Sequence, residues 1–86
     1  MWELVFTSDA RREYDALDPS VTRRINVALE LLRLNPERHP NLKRLKGKFA
    51  GHSRFRAGDW RIIHYLRPAL GRIVVTHIAH RSEVYE

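Results

Sequence analysis

His52, Arg54, Arg56 and Arg61 fall within the ten-residue stretch HSRFRAGDWR, and their types suit one kind of chemistry. Arginine presents a planar fork of donors that pairs with phosphate oxygens through charge-assisted hydrogen bonds, so a cluster of them fits a phosphodiester or the extra negative charge of its transition state. Histidine, with an ordinary pKa of about 6.5, takes and returns a proton at neutral pH. Set against RNA, a neutral imidazole can remove a 2′-hydroxyl proton while guanidinium groups hold the phosphorane charge, which cuts the chain without metal or water. A plainer account also fits: long Arg stems cover apolar neighbours, and His52 is a surface residue on a polar strand. The five His are not accompanied by any Cys, by an HExxH segment or by regular ligand spacing, and neither a Gly-rich phosphate loop nor a Ser nucleophile motif occurs. Neither a metal nor a nucleotide cofactor is therefore expected.

The elements that must position these groups follow from the spacing. After Gly51 the apolar period becomes two, giving HSRFRA, WRIIHYLR and RIVVTHIAH separated by Gly58-Asp59 and by PALG (68–71), which reads as three strands in a meander. A two-residue Gly-Asp turn fixes the register: Ala57 faces Trp60, Arg56 faces Arg61, Arg54 faces Ile63 and His52 faces Tyr65. One sheet face then carries His52, Arg54, Arg56, Arg61, Ile63 and Tyr65; the other carries Ser53, Phe55, Ala57, Trp60, Ile62 and His64. Pairing Arg67 with Arg72 extends this, placing Val74, Thr76, Ile78 and His80 on the basic face and Ile73, Val75 and His77 on the core face. His64 and His77 are thus expected to be packed, and His39 sits in a loop. Arg56 opposite Arg61 is unfavourable as a bare pair, which a phosphate would relieve.

Upstream, Trp2 to Phe6 reads as a first strand. Thr7 or Ser8 can cap a helix over Ala10 to Ala16, and Asp18 with Pro19 starts a second helix with a capping side chain. In that second helix Val21, Ile25, Ala28, Leu29 and Leu32 form one apolar stripe, ended by Asn35 and Pro36. Residues 35–51 read mostly as loop, pinned to the core by Leu42, Leu45 and Phe49. The order β-α-α-β-β-β indicates an α+β fold in which two N-terminal helices cover one face of a small antiparallel sheet, closed by the first strand, and leave the other face to solvent.

Length and charge narrow the function. Eighty-six residues at 43% hydrophobic and 30% charged suit one domain over residues 1–86, with a core too thin for a deep cofactor cavity. Residues 1–37 hold five Arg and seven acids (net −2), residues 38–81 hold eleven Lys+Arg and only Asp59 (net +10), and residues 82–86 add two Glu (net −2), which sums to +6. A cationic half of this kind attracts polyanions, nucleic acid first among them. No segment approaches the roughly 20 apolar residues that span a bilayer, and the start lacks a basic region followed by an apolar run. The chain reads as soluble and cytosolic, without a membrane partner.

The run RLKGKFAGHSRFRAGDWRIIHYL (44–66) followed by VVTHIAHRSEVYE (74–86) resembles the RelE/ParE superfamily of bacterial and archaeal toxins, most closely its RelE branch, over nearly the whole chain. The resemblance implies the toxin of a type II toxin–antitoxin system, a ribosome-dependent endoribonuclease (an mRNA interferase) that enters the ribosomal A site and cuts mRNA through 2′-hydroxyl attack. It implies Arg61 as the strand Arg that holds the scissile phosphate, Arg54 as the basic residue beside it, Arg81 as transition-state or leaving-group support, and Tyr85 as a base-stacking group. His52 stands where the best-known members carry Lys, so either His52 takes the base role or another group does. Imidazole is the better base at neutral pH, since an ordinary Lys, with a pKa of about 10.4, is almost wholly protonated. Lys43, Arg44, Lys46, Lys48 and Arg56 are the expected contacts to the RNA backbone. The expected partners are the ribosome, mRNA and an acidic antitoxin that wraps the cationic face and the helices as a hetero-oligomer. The chain ends one residue after Tyr85, where many relatives continue, so base stacking there and control by displacing a terminal helix are less expected. The competing readings are a ParE-like poison of DNA gyrase without nuclease activity, and a catalytically weak relative that only binds an antitoxin.

Overall fold

The computed structural model of the chain describes residues 1–84. The elements run β1 (Glu3–Phe6), α1 (Ser8–Asp15), α2 (Pro19–Leu34), β2 (Leu42–Arg44), β3 (Ser53–Ala57), β4 (Trp60–Arg67) and β5 (Arg72–His80), with short 3₁₀ turns at Gly47–Phe49, Pro68–Leu70 and Arg81–Glu83. Thr7 is the cap of α1, its hydroxyl accepting from the Ala10 amide at 3.2 Å. Asp18 precedes Pro19 at the start of α2 but makes no side-chain capping bond, contrary to expectation. Its carbonyl instead accepts from the Thr22 amide and hydroxyl at 2.9 and 3.1 Å. The helix ends where the Asn35 side chain turns back to the Leu31 carbonyl.

The apolar stripe of α2 packs as its spacing predicts. Ile25, Ala28, Leu29 and Leu32 are buried with Ala10 of α1 against Phe55, Ile62, Ile73, Val75 and Ile78 of the sheet. Val21 is half-buried at the margin of this core. Burying each large aliphatic side chain stabilises the fold by about 1.5–3 kcal/mol, so this layer dominates the stability of so short a chain.

The sheet differs from the expected antiparallel meander in two ways. Its order is β1-β5-β4-β3-β2, and β1 lies parallel to β5, so the sheet is mixed and open. The meander fixes the direction of β5, and the two helices return the chain so that β1 lies beside it in the same sense. Within the stretch expected to be loop, Leu42–Arg44 pairs antiparallel with β3 as a fifth strand. Three residues are too few to show a period, and the pairing with β3 organises them. As an edge, β2 is short and carries two cations, features that discourage further strand addition.

The hairpin register is Ala57 with Trp60, Arg56 with Arg61 and Arg54 with Ile63, turned by Gly58 at φ +63°. Arg67 pairs with Arg72 as expected, but the register then shifts. Between the pairs His64–Val75 and Ile63–His77 one residue of β5, Thr76, is extra. This β-bulge reverses the alternation beyond it. Ile78 and His80 therefore join the core face, His80 meeting the Trp60 ring at 5.5 Å, while His77 and Ala79 turn to the basic face; the expected placements of Ile78, His80 and His77 are corrected. The bulge is held by the Thr76 hydroxyl on the Ile63 carbonyl and the Thr7 hydroxyl on the Thr76 carbonyl, both at 3.2 Å.

His64 is the buried polar residue of the sheet, 1% exposed. Its Nδ1 lies 3.1 Å from the Ile62 carbonyl, which can only accept, so Nδ1 carries the proton. Nε2 is buried with no hydrogen-bond partner among the described residues. Burial lowers its pKa, the Ile62 carbonyl opposes that, and His52 adds to the lowering. The folded state therefore disfavours a proton that the unfolded chain accepts, and stability falls as pH drops below about 6.5 toward the lower folded value. Urea unfolding between pH 7.5 and 5.5 should show this loss, with a limiting slope of about 1.4 kcal/mol per pH unit; His64→Gln should flatten it, and an unchanged slope would show that another group titrates.

Candidate functional site

Arg54, Arg56 and Arg61 stand on the sheet face opposite the helices, as the hairpin register predicts. That face is not bare, which corrects the expectation of a fully open surface. The segment after β2 crosses it, and Leu45, Ile63 and Val74 are 6%, 1% and 8% exposed there. Phe49 is half-buried on the same strap. Leu45 and Phe49 thus anchor a second, smaller apolar layer and not the helix-covered core, whereas Leu42 does pack against the latter.

Backbone carbonyls at the hairpin temper the repulsion between Arg56 and Arg61. Arg61 Nη1 donates to Gly58 O at 2.9 Å and to Trp60 O at 3.1 Å, and Arg56 Nε reaches Gly58 O at 3.4 Å. One turn carbonyl therefore serves both guanidinium groups. Arg54 is half-buried and donates from Nη1 to the Asn41 carbonyl at 2.7 Å. Asp59, the one acid of residues 38–81, binds Arg81: its carbonyl accepts the Arg81 amide at 2.8 Å and its carboxylate lies 3.7 Å from Nε. Arg81 is thereby brought to the hairpin end of the sheet.

His52 lies at the far end of β3. Its ring meets Tyr65 edge-on at 5.3 Å and Phe49 at 6.2 Å, and its Nδ1 is buried without a hydrogen bond among the described residues. Tyr65, whose ring it meets, is four residues from Arg61 along β4, or about 13 Å at 3.3 Å per residue. His52 lines a shallow cleft with Arg44, Gly51 and Tyr65. Of the other expected cations, Lys43 pairs with Arg54 and shares its face, while Lys46 and Lys48 are exposed on the strap, Lys48 with Nζ 5.8 Å from the Phe49 ring centre. Tyr85 lies outside the described residues. His39 packs on Phe55 at 4.9 Å and accepts from the Asn41 amide at 3.1 Å, a structural position.

Two residues that the sequence did not single out for chemistry also meet on this side. Glu13 of α1 accepts the Ile78 amide at 3.0 Å, where β5 extends past the end of β1, and lies 3.4 Å from His77 Nδ1. Nothing in the sequence marks the bulge that brings His77 there. Among the described residues no group of three or more His, Asp or Glu is placed to hold a metal ion, and no helix is long and apolar enough to cross a membrane. Replacing Leu45 by Ala should cost about 2–4 kcal/mol in urea unfolding, a core-sized loss from the face opposite the helices; a loss below about 0.5 kcal/mol, as at an exposed site, would mean that the strap does not cover the sheet.

Solved structures share this architecture. The toxin–antitoxin complex RelBE2 from Mycobacterium tuberculosis contains a chain 26% identical, covering 93% of this chain and 98% of that one, with a TM-score of 0.81. The YoeB/ParE toxin from Agrobacterium tumefaciens is 20% identical over 91% and 96% of the two chains (TM-score 0.79). A chain of the archaeal RelE–RelB complex from Pyrococcus horikoshii is 18% identical over 96% and 98% (TM-score 0.77). No curated protein matches the chain in sequence. A family model described as the ParE toxin of type II toxin–antitoxin systems matches residues 2–85. With its two helices on one side of a five-stranded mixed sheet, the chain belongs to that family of type II toxin–antitoxin toxins, within the RelE/ParE superfamily.

Proposed function

We propose that this toxin is a ribosome-dependent endoribonuclease that cuts mRNA in the A site by attack of a 2′-hydroxyl on the adjacent phosphate. The observation that carries the reading is the common face of Arg54, Arg56 and Arg61, turned away from the helices. Arginine forks pair with phosphate oxygens through charge-assisted hydrogen bonds, and a shared face lets three of them converge on one phosphodiester. In this reading Arg61 and Arg54 hold the scissile phosphate, and Arg81, stationed by Asp59, supports the leaving group. Arg is effectively always protonated, so these residues stabilise charge and do not donate protons. Arg56, Lys43, Arg44, Lys46 and Lys48 track the backbone, His52 contacts the message in the cleft beside Tyr65, and Tyr85 stacks on a base. The reaction needs no metal and no cofactor. A cytosolic setting follows from the substrate. An antitoxin with acidic and apolar side chains would cover the same cationic face and silence it.

A second reading, a gyrase poison acting by protein contact, is favoured by the description of the matched family model as ParE toxin. Expression without antitoxin separates the two. The nuclease reading predicts growth arrest with primer-extension stops at ribosome positions on translated messages. Arg61→Ala should lower cleavage by about 10²- to 10³-fold, the cost of one preorganised charge-stabilising donor, with antitoxin binding retained. Gyrase-dependent DNA breaks, with Arg61→Ala still toxic, would overturn it.

A further inference from the structure

We infer that His77, oriented by Glu13, is the group that takes the 2′-hydroxyl proton; the inference rests on the nuclease reading. The sheet register supplies the first argument. Arg61 pairs with Arg56 on β3 and with Ala79 on β5, so Arg54 and His77 are its two diagonal neighbours on one face. Diagonal neighbours across an antiparallel pair lie about 7–8 Å apart, within reach of long side chains on a shared ligand. His52 precedes Ser53, which pairs with His64, so it lies beyond the row of Arg54 and Ile63 and further from Arg61. A phosphate gripped by Arg61 and Arg54 therefore has His77 beside it, and His52 out of direct reach.

The second argument is the arrangement of His77 itself. Its side chain is 39% exposed and its Nδ1 lies 3.4 Å from a carboxylate oxygen of Glu13. Glu13 is in turn anchored by the Ile78 amide, a donor left by the shorter strand β1. A carboxylate accepts and does not donate, so a ring proton on Nδ1 can point to Glu13 and leave Nε2 as the basic nitrogen. A carboxylate that fixes the tautomer and stabilises the imidazolium once it forms is the arrangement by which many enzymes prepare a histidine base. His77 opens onto a shallow cleft walled by Phe49, Ile63, Ala79 and Glu83, where a ribose can lie against apolar side chains. Among the described residues, Glu13 from α1 and Glu83 from the last turn line this cleft, and Arg61 is diagonal to His77 across the sheet.

In the step, His77 Nε2 receives the 2′-hydroxyl proton as the 2′-oxygen bonds to phosphorus. The bond from phosphorus to the 5′-oxygen of the next nucleotide breaks, and that oxygen leaves with a proton from solvent. The products are a 2′,3′-cyclic phosphate and a 5′-hydroxyl, with no change in oxidation state.

The test is single-turnover cleavage of a translated message in a reconstituted translation extract, comparing wild type, His77→Ala, His52→Ala and Arg61→Ala. His77→Ala should lose about 10²- to 10⁴-fold in rate, keep ribosome binding, and recover in part with added imidazole. Arg61→Ala should not recover; a loss of 10²-fold or more in His52→Ala that added imidazole restores would give the base role to His52 and overturn the assignment. A loss below tenfold in His77→Ala, or one that imidazole leaves untouched, overturns the assignment while the inactivity of Arg61→Ala leaves the nuclease reading standing. No cleavage of any message by the wild type, which must first be shown to bind ribosomes, overturns both. Should His77→Ala lose its circular dichroism spectrum, His77→Gln carries the rate comparison.

Discussion

A sheet with helices on one side can satisfy only one parity of apolar residues along each strand, because neighbouring side chains point to opposite faces. In β5 that parity holds twice, in two different phases. Ile73 and Val75 enter the core before Thr76, and Ile78 enters it after. An unbroken strand would expose Ile78 and bury His77, forfeiting about 1.5–3 kcal/mol of apolar burial and adding a desolvated imidazole. The extra residue resolves the conflict, and two threonine hydroxyls hold it in place. Thr7 has a double part: it caps α1 and bonds the bulge carbonyl, so the helix that supplies Glu13 is tied to the irregularity that presents His77.

The same separation of faces concentrates charge. Ten net positive charges fall in residues 38–81, and the hairpin places three of the Arg on one surface. Backbone carbonyls at Gly58, Trp60 and Asn41 are among the acceptors that temper the crowding, and a neutral carbonyl is a weaker partner than a charged phosphate oxygen. An antitoxin and a message that both use this surface would exclude each other, which would control a small toxin.

Much of this was legible in the chain. The placement of Arg54, Arg56 and Arg61 together needed only the Gly58-Asp59 turn, because a two-residue loop leaves one register. The stripe Ile25, Ala28, Leu29 and Leu32 needed only helical spacing. The features that escaped are those decided by distant partners. β2 is a strand because β3 offers it a ladder; β1 runs parallel because β5 is where the helices return it. Thr76 looks in sequence like any other strand residue, so strict alternation sends His77 to the core. The pairing of Glu13 with His77 joins residues 64 positions apart and has no local signature. Sequence reasoning placed the three arginines of the candidate site on one face through local geometry and missed the approach of Glu13 to His77, which depends on tertiary register.

The most direct measurement is a structure of this toxin on a ribosome carrying a message with 2′-deoxy sugars in the A site, which cannot be cut. The account predicts the phosphate of an A-site linkage between Arg54 and Arg61, with the sugar 2′ carbon of the preceding nucleotide turned toward Nε2 of His77. A message lying against the helices, or a phosphate remote from the face that bears Arg54 and Arg61, would contradict it.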